Sequence, residues 1–155
     1  SKIINIQPNF FEIIKNFDTS AYGEIYLLSF KMFLDNPITG IGINNFKYLC
    51  NYNELYRNMM INYECASHPH NIYIQWLTEG GLIVFISFIL FLFFLVKFII
   101  NNTADKKYKI ISIVIILIMF WPIMSTGSLI KNWFGVTTFF IIGLSMCLSK
   151  FKNNY

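Results

Sequence analysis

The chain has 155 residues, of which 55% are hydrophobic and 13% charged, and a formal net charge of +4; its mean hydropathy is +0.53. That balance lies outside the range of ordinary soluble domains and reads as a membrane protein, with no nucleic-acid partner implied. Arg57 is the only arginine while Ile, Phe, Asn and Lys are abundant, a bias typical of AT-rich coding that removes weight from the lysine excess.

The chain starts at Ser1 without a methionine or the zones of a signal peptide, so it is expected to be the C-terminal piece of a larger protein. Residues 1–17 are ambiguous and fit the end of an upstream helix. The first clear element is "SAYGEIYLLSFKMFLD", Ser20 to Asp35. At 100° per residue, Ser20, Glu24, Lys31 and Asp35 fall on one narrow polar stripe, and an amphipathic helix 20–35 is expected to lie in a membrane interface or to pack on other spans. It stops at "DNPITGIG", where Pro37 restricts Asn36, and Gly40 and Gly42 allow a tight turn. The short glycine pattern is read as conformational and not as a phosphate loop. Residues 43 to 67 are polar and irregular. Within them Cys50 and Cys65 either pair, if this side faces an oxidising compartment, or remain two free thiols.

Pro69 suits the first turn of a helix, so a helix is expected to begin near His68 to His70 and to continue into a membrane span. Asn71, Gln75, Thr78 and Glu79 then form a polar stripe on a helix otherwise covered by Ile72, Tyr73, Trp76 and Leu77. Glu79 falls roughly 13 Å below His70. A carboxylate at that depth is costly unless paired or hydrated, so its partner is expected in protein upstream of the chain. Trp76 and Tyr73 fit an interfacial aromatic belt. His68 and His70 lack a third nearby ligand, so no metal site is expected.

Three membrane spans are expected, at about 71–100, 110–125 and 129–149; the first contains the apolar run from Leu77 to Ile100, and Pro122 kinks the second near its end. A tight "STGS" turn would make a helical hairpin of the second and third. Lys106, Lys107 and Lys109 in one connection, with Lys150 and Lys152 in the tail, place those segments inside. The first 72 residues carry five basic groups against six acidic ones. The expected organisation is therefore an outward loop region at 1–70, three spans within 71–149 and a cytoplasmic tail at 150–155. The fold class is an all-α membrane protein, an amphipathic loop helix plus three transmembrane helices, as a fragment of a larger polytopic bundle.

"DNPITGIGINNF" followed, after a variable polar stretch, by "HNIYIQWLTEGGLIVFISF" resembles the C-terminal region of the O-antigen ligase and O-antigen polymerase superfamily. The matching positions are Pro37, Gly40, Gly42 and Phe46, then His70, Asn71, Tyr73, Gln75, Glu79, Gly80 and Gly81. The resemblance implies an inner-membrane glycosyltransferase, metal-independent and without a cofactor, whose active site faces the periplasm. Its donor would be a polyprenyl-diphosphate-linked glycan, and its acceptor another glycan, a lipid A core or a protein. The family's loop histidine would be His70, removing a proton from the attacking sugar hydroxyl or holding it in line. His68, Asn71, Gln75 and Glu79 are the accompanying substrate-binding candidates. The family's arginine near the start of the loop helix is replaced here by Tyr22, Gly23 and Glu24, so phosphate-contacting charge is expected from Arg57, Lys47 or upstream arginines. The competing expectation is a non-enzymatic permease or assembly subunit, in which the polar stripe lines a path or binds another helix.

Overall fold

The structure is a computed structural model and describes residues 15–150. Most of the expected upstream helix end, and the tail beyond Lys150, lie outside the described residues. All regular structure described is helical. After a 3-10 turn at Phe17–Thr19 come α1 (Ala21–Asp35), α2 (Phe46–Tyr52), the single turn α3 (Glu54–Arg57), α4 (Ile72–Asn102), α5 (Lys106–Met119) and α6 (Asn132–Lys150).

Ser20 caps α1 by accepting from Gly23 N at 3.1 Å, which supplies a partner to one of the amides a helix start leaves open. The polar stripe of α1 is only partly solvated. Glu24 is buried and accepts from Asn62, through the backbone N at 3.2 Å and through Nδ2 at 2.6 Å. It thereby ties the irregular loop to α1. At the far end, Asp35 pairs with Lys31 and accepts from Tyr56 Oη at 2.9 Å. The apolar face, Ile25, Leu28 and Met32, closes a small core with Phe46, Cys50 and Tyr56. Cys50 and Cys65 are joined by a disulfide with Cα atoms 5.8 Å apart, so of the two readings left open by their spacing the structure takes the paired one.

Helix α1 packs on α4, and the way it turns off α4 explains the glycines. α4 is not continuous: Gly81 has φ 64° and ψ −166°. The break removes helical partners from Thr78 O, Glu79 O, Leu82 N and Ile83 N, and buried backbone groups must find others. They find them in the "DNPITGIG" loop. Ile41 N and Gly42 N donate to Thr78 O and Glu79 O at 3.0 Å, while Leu82 N and Ile83 N donate to Pro37 O and Ile38 O at 2.9 and 3.3 Å. Only glycine fits such a crossing. A Cβ on Gly40 (φ 67°) would lie 2.5 Å from the Glu79 carbonyl, and one on Gly81 would lie 2.4 Å from Ile38 O. The broken span is a correction to the continuous helix expected from sequence.

α4 is also the one helix among the described residues long and apolar enough to cross a membrane, and Trp133–Cys147 within α6 is a shorter apolar helix. The part of α4 after the break, 82–102, rises about 30 Å, the thickness of a hydrocarbon core, without the residues before it. Phe88, Leu95 and Ile99 of α4 form a second core with Ile72, Ile116, Phe120 and Ile142, whereas Leu90, Phe93 and Phe94 are exposed. α5 and α6 pack together, and Ser112 of α5 and Thr138 and Ser145 of α6 are fully buried; small residues of this kind let helices approach closely. α5 ends at Met119, and the expected tight turn at residues 125–128 is not formed; turns closed by Met124 N to Trp121 O at 3.2 Å and by Lys131 N to Ser128 O at 3.1 Å flank it. The chain from Phe120 to Lys131 instead runs back over the N-terminus of α4, where Thr126 N donates to His70 O at 2.8 Å.

Candidate functional site around His70

The N-terminus of α4 differs from its sequence reading in a way that bears on function. The helix starts at Ile72, not near His68 to His70. Asn71 is its N-cap, with Oδ1 accepting from Tyr73 N at 3.0 Å and Ile74 N at 3.2 Å. Its Nδ2 donates to Pro122 O at 2.7 Å. Asn71 thus leaves the polar stripe and becomes the pin between α4 and the α5–α6 connection. Pro69 precedes the helix, and His70 takes a left-handed backbone, φ 56°. This conformation is uncommon for a residue with a Cβ, though histidine is among those enriched in it.

The two histidines then part in role. Their rings lie 4.3 Å apart between centroids. His68 is buried, with Nδ1 2.9 Å from Ser67 Oγ and Nε2 3.3 Å from Thr126 O. A carbonyl only accepts, so Nε2 carries the proton and Nδ1 accepts from the serine hydroxyl. His70 is half-buried, and its ring meets Tyr22 in an edge-on contact at 6.1 Å. Tyr22 Oη in turn donates to Ser125 Oγ at 3.4 Å. Burial lowers the pKa of both histidines from the usual 6.5. The charge on His70 lowers that of His68 further, and the positive charge of Lys131 lowers both. Both imidazoles are therefore neutral at pH 7, and only His70 has ring nitrogens without a hydrogen bond among the described residues.

Gln75 and Glu79 lie beneath, 3% and 1% exposed, and their bonds are internal. Gln75 Nε2 donates to Glu79 Oε2 at 2.9 Å and to Ser128 Oγ at 2.8 Å, while Glu79 Oε1 accepts from Phe46 N, the first residue of α2, at 3.3 Å. The partner expected upstream is thus found within the chain. The carboxylate joins α2 to the α4 break, and Thr78 Oγ1 donates to Ser29 O at 3.2 Å beside it. Glu79→Ala would orphan the buried Phe46 amide and half of the Gln75 amide, lowering stability by about 2–4 kcal/mol. Thermal melting of the purified protein checks this, with Glu79→Gln, which keeps one acceptor, expected to melt in between.

Lys47 and Arg57 do not join His70. They line a separate cavity of about 440 Å³ beside the disulfide, together with Asn51, Tyr63 and Glu64, and His70 is not part of its wall. Two residues that bear on His70, Tyr22 through its ring contact and Lys131 through its charge, were not singled out from sequence. Tyr22 had drawn notice only as the replacement for an arginine, and Lys131 only as a topology marker. The signal for Tyr22 was its place in the first turn of α1; nothing local to Lys131 announces its neighbours, because 61 residues separate it from His70. Among the described residues no group of three His, Cys, Asp or Glu is placed to hold a metal ion.

Neither the curated proteins nor the solved structures give a match to this chain. A family match does exist, and it covers the elements just described, from the first residues through α1, the glycine crossing and the histidine-bearing start of α4: residues 6–89, just over half of the chain, match the O-antigen ligase family. The chain belongs to the O-antigen ligase family.

Proposed function

We propose that the full-length protein is a membrane glycosyltransferase of the bacterial inner membrane that moves a glycan from a polyprenyl-diphosphate carrier to a hydroxyl of a lipid, sugar or protein acceptor on the periplasmic face. One arrangement carries the reading: a neutral, unbonded imidazole, His70, close enough to Lys131 to feel its charge, with Lys131 also lining a groove of about 420 Å³ whose wall includes the apolar Val136 and Phe139 of α6. A diphosphate joining a sugar to an isoprenoid chain calls for a base at the acceptor hydroxyl, a cation at the leaving group and an apolar surface for the carrier chain. His70 accepts the proton of the attacking hydroxyl as its oxygen bonds to the anomeric carbon. The carbon–oxygen bond to the diphosphate breaks, its electron pair leaves with the phosphate oxygen, and the Lys131 ammonium offsets that charge. Asn71, His68, Gln75 and Glu79 position the group; they hold the α4 start, the break and the α5–α6 connection against one another.

The topology that goes with this reading has three spans, α4 to α6, with the region before α4 outside and the tail inside. The α5–α6 connection meets His68 to Asn71 at one end of the bundle, as alternating spans require. The lysine-rich start of α5 lies at the other end. A disulfide in the loop region fits an oxidising compartment.

The pH dependence tests the role of His70. Protonation removes the base, so transfer should be level above about pH 6.5 and fall as pH drops below it, since burial and Lys131 hold the His70 pKa under its ordinary value. Lys131→Gln removes one cause of that lowering, so its acid limb should move to higher pH. The same variant should also transfer roughly 10- to 100-fold more slowly through loss of charge stabilisation. Rates of glycan transfer by the full-length protein in liposomes, measured from pH 5 to 8, give both quantities; a limb that stays in place would remove Lys131 from the site.

A further inference from the structure

The cavity beside the disulfide is a concave, polar, cation-bearing surface that the transfer reaction leaves unused. Lys47 projects from α2 and Arg57 ends α3, and both line the cavity with Asn51, Tyr63 and Glu64. Among the described residues the ion pair is Lys31 with Asp35, so Lys47, Arg57 and Glu64 share a wall without forming one. Two cations and one carboxylate leave a net charge of +1 on the wall. That balances a group with a single negative charge, whereas a diphosphate would leave unbalanced negative charge beside Glu64. The guanidinium of Arg57 offers paired donors matched to a carboxylate. Asn51 and Glu64 offer hydrogen-bonding groups of both kinds for hydroxyls, and the exposed ring of Tyr63 offers a flat face for the C–H side of a sugar ring. The Cys50–Cys65 bond fixes the base, since Cys65 belongs to the same wall.

We infer that this cavity is a binding subsite for a carboxylate-bearing sugar unit of the glycan, with Arg57 and Lys47 holding the carboxylate and Asn51, Tyr63 and Glu64 the ring. The inference rests on the glycosyltransferase reading, and it makes the glycan handled by this protein an acidic one. It also moves Arg57 and Lys47 from the phosphate contacts expected of them to specificity for the sugar.

Binding of D-glucuronate, D-glucose and inorganic phosphate to the full-length protein in nanodiscs, followed by isothermal titration or ligand-observed NMR, tests it. Glucuronate should bind, with glucose and phosphate each at least tenfold weaker. Arg57→Gln should weaken glucuronate binding tenfold or more, and Glu64→Gln should strengthen it a few-fold, a gain that damage to the fold would not produce. Phosphate or glucose bound as well as glucuronate, or Arg57→Gln without effect, would overturn the inference. His70→Asn separates it from the reaction: that variant should keep glucuronate binding even though transfer is lost. In a transfer assay Arg57→Gln should raise the KM for whichever substrate carries the acidic sugar, lipid-linked donor or acceptor. An unchanged KM for both would count against the subsite.

Discussion

Replacing Gly81 by alanine is expected to lower the stability of the protein by roughly 3 kcal/mol or more, through two additive causes. The backbone at Gly81 is left-handed, φ 64°, and a Cβ there meets Ile38 O at 2.4 Å. The neighbouring atoms are backbone on both sides, so no side chain can swing away. The loop must retreat from α4, and each retreat exposes or orphans the four backbone bonds that repair the broken helix. Inside a membrane protein such groups find no replacement in lipid. Gly143 supplies the control: a Cβ there meets nothing within 4 Å, and alanine in mid-helix should be neutral or stabilising by up to about 1 kcal/mol. Thermal melting of the two purified variants should separate them widely. Equal melting temperatures would mean that the Gly40–Gly81 crossing is not formed.

His70→Asn should reduce the turnover of glycan transfer by about 10²- to 10⁴-fold, the range for loss of a positioned base, with little change in KM. Asparagine is the informative replacement because it tolerates the left-handed backbone that His70 adopts. The bond from Thr126 N to the residue 70 carbonyl is a backbone contact and should survive. The fold is thereby kept while the imidazole is removed. Alanine would add backbone strain and confuse the two effects. Single-turnover rates with lipid-linked donor, beside a melting curve for the same sample, check both halves of the expectation.

Much of this arrangement can be read locally. The helix expected at 20–35, found at Ala21–Asp35, and the burial of Gln75 and Glu79 follow from 3.6-residue periodicity and from the cost of polar groups beside lipid. Gly40 and Gly42 both have positive φ, as a turn of that composition demands. What the sequence conceals is non-local. The break in α4 depends on a loop 40 residues upstream that supplies its missing partners, and a "GG" pair inside an apolar run looks the same whether the helix continues or not. Proline in a first turn pointed to a start of α4 near His68 to His70, but the helix starts at Ile72 with Asn71 as its cap, and Asn71 Nδ2 also reaches the α5–α6 connection. Glu79 needed no partner from elsewhere, yet its bond to Phe46 N appears only once α2 is folded against α4. The electrostatic effect of Lys131 on His70 has the same character.

The central claim is that His70 is the reacting group of a surface-glycan transferase. Its most direct measurement is the surface glycan of cells whose only copy of the gene encodes His70→Asn. The expected result is loss of the transferred glycan while the protein remains in the membrane at its normal level. Glycan of normal amount and length in those cells would contradict the account.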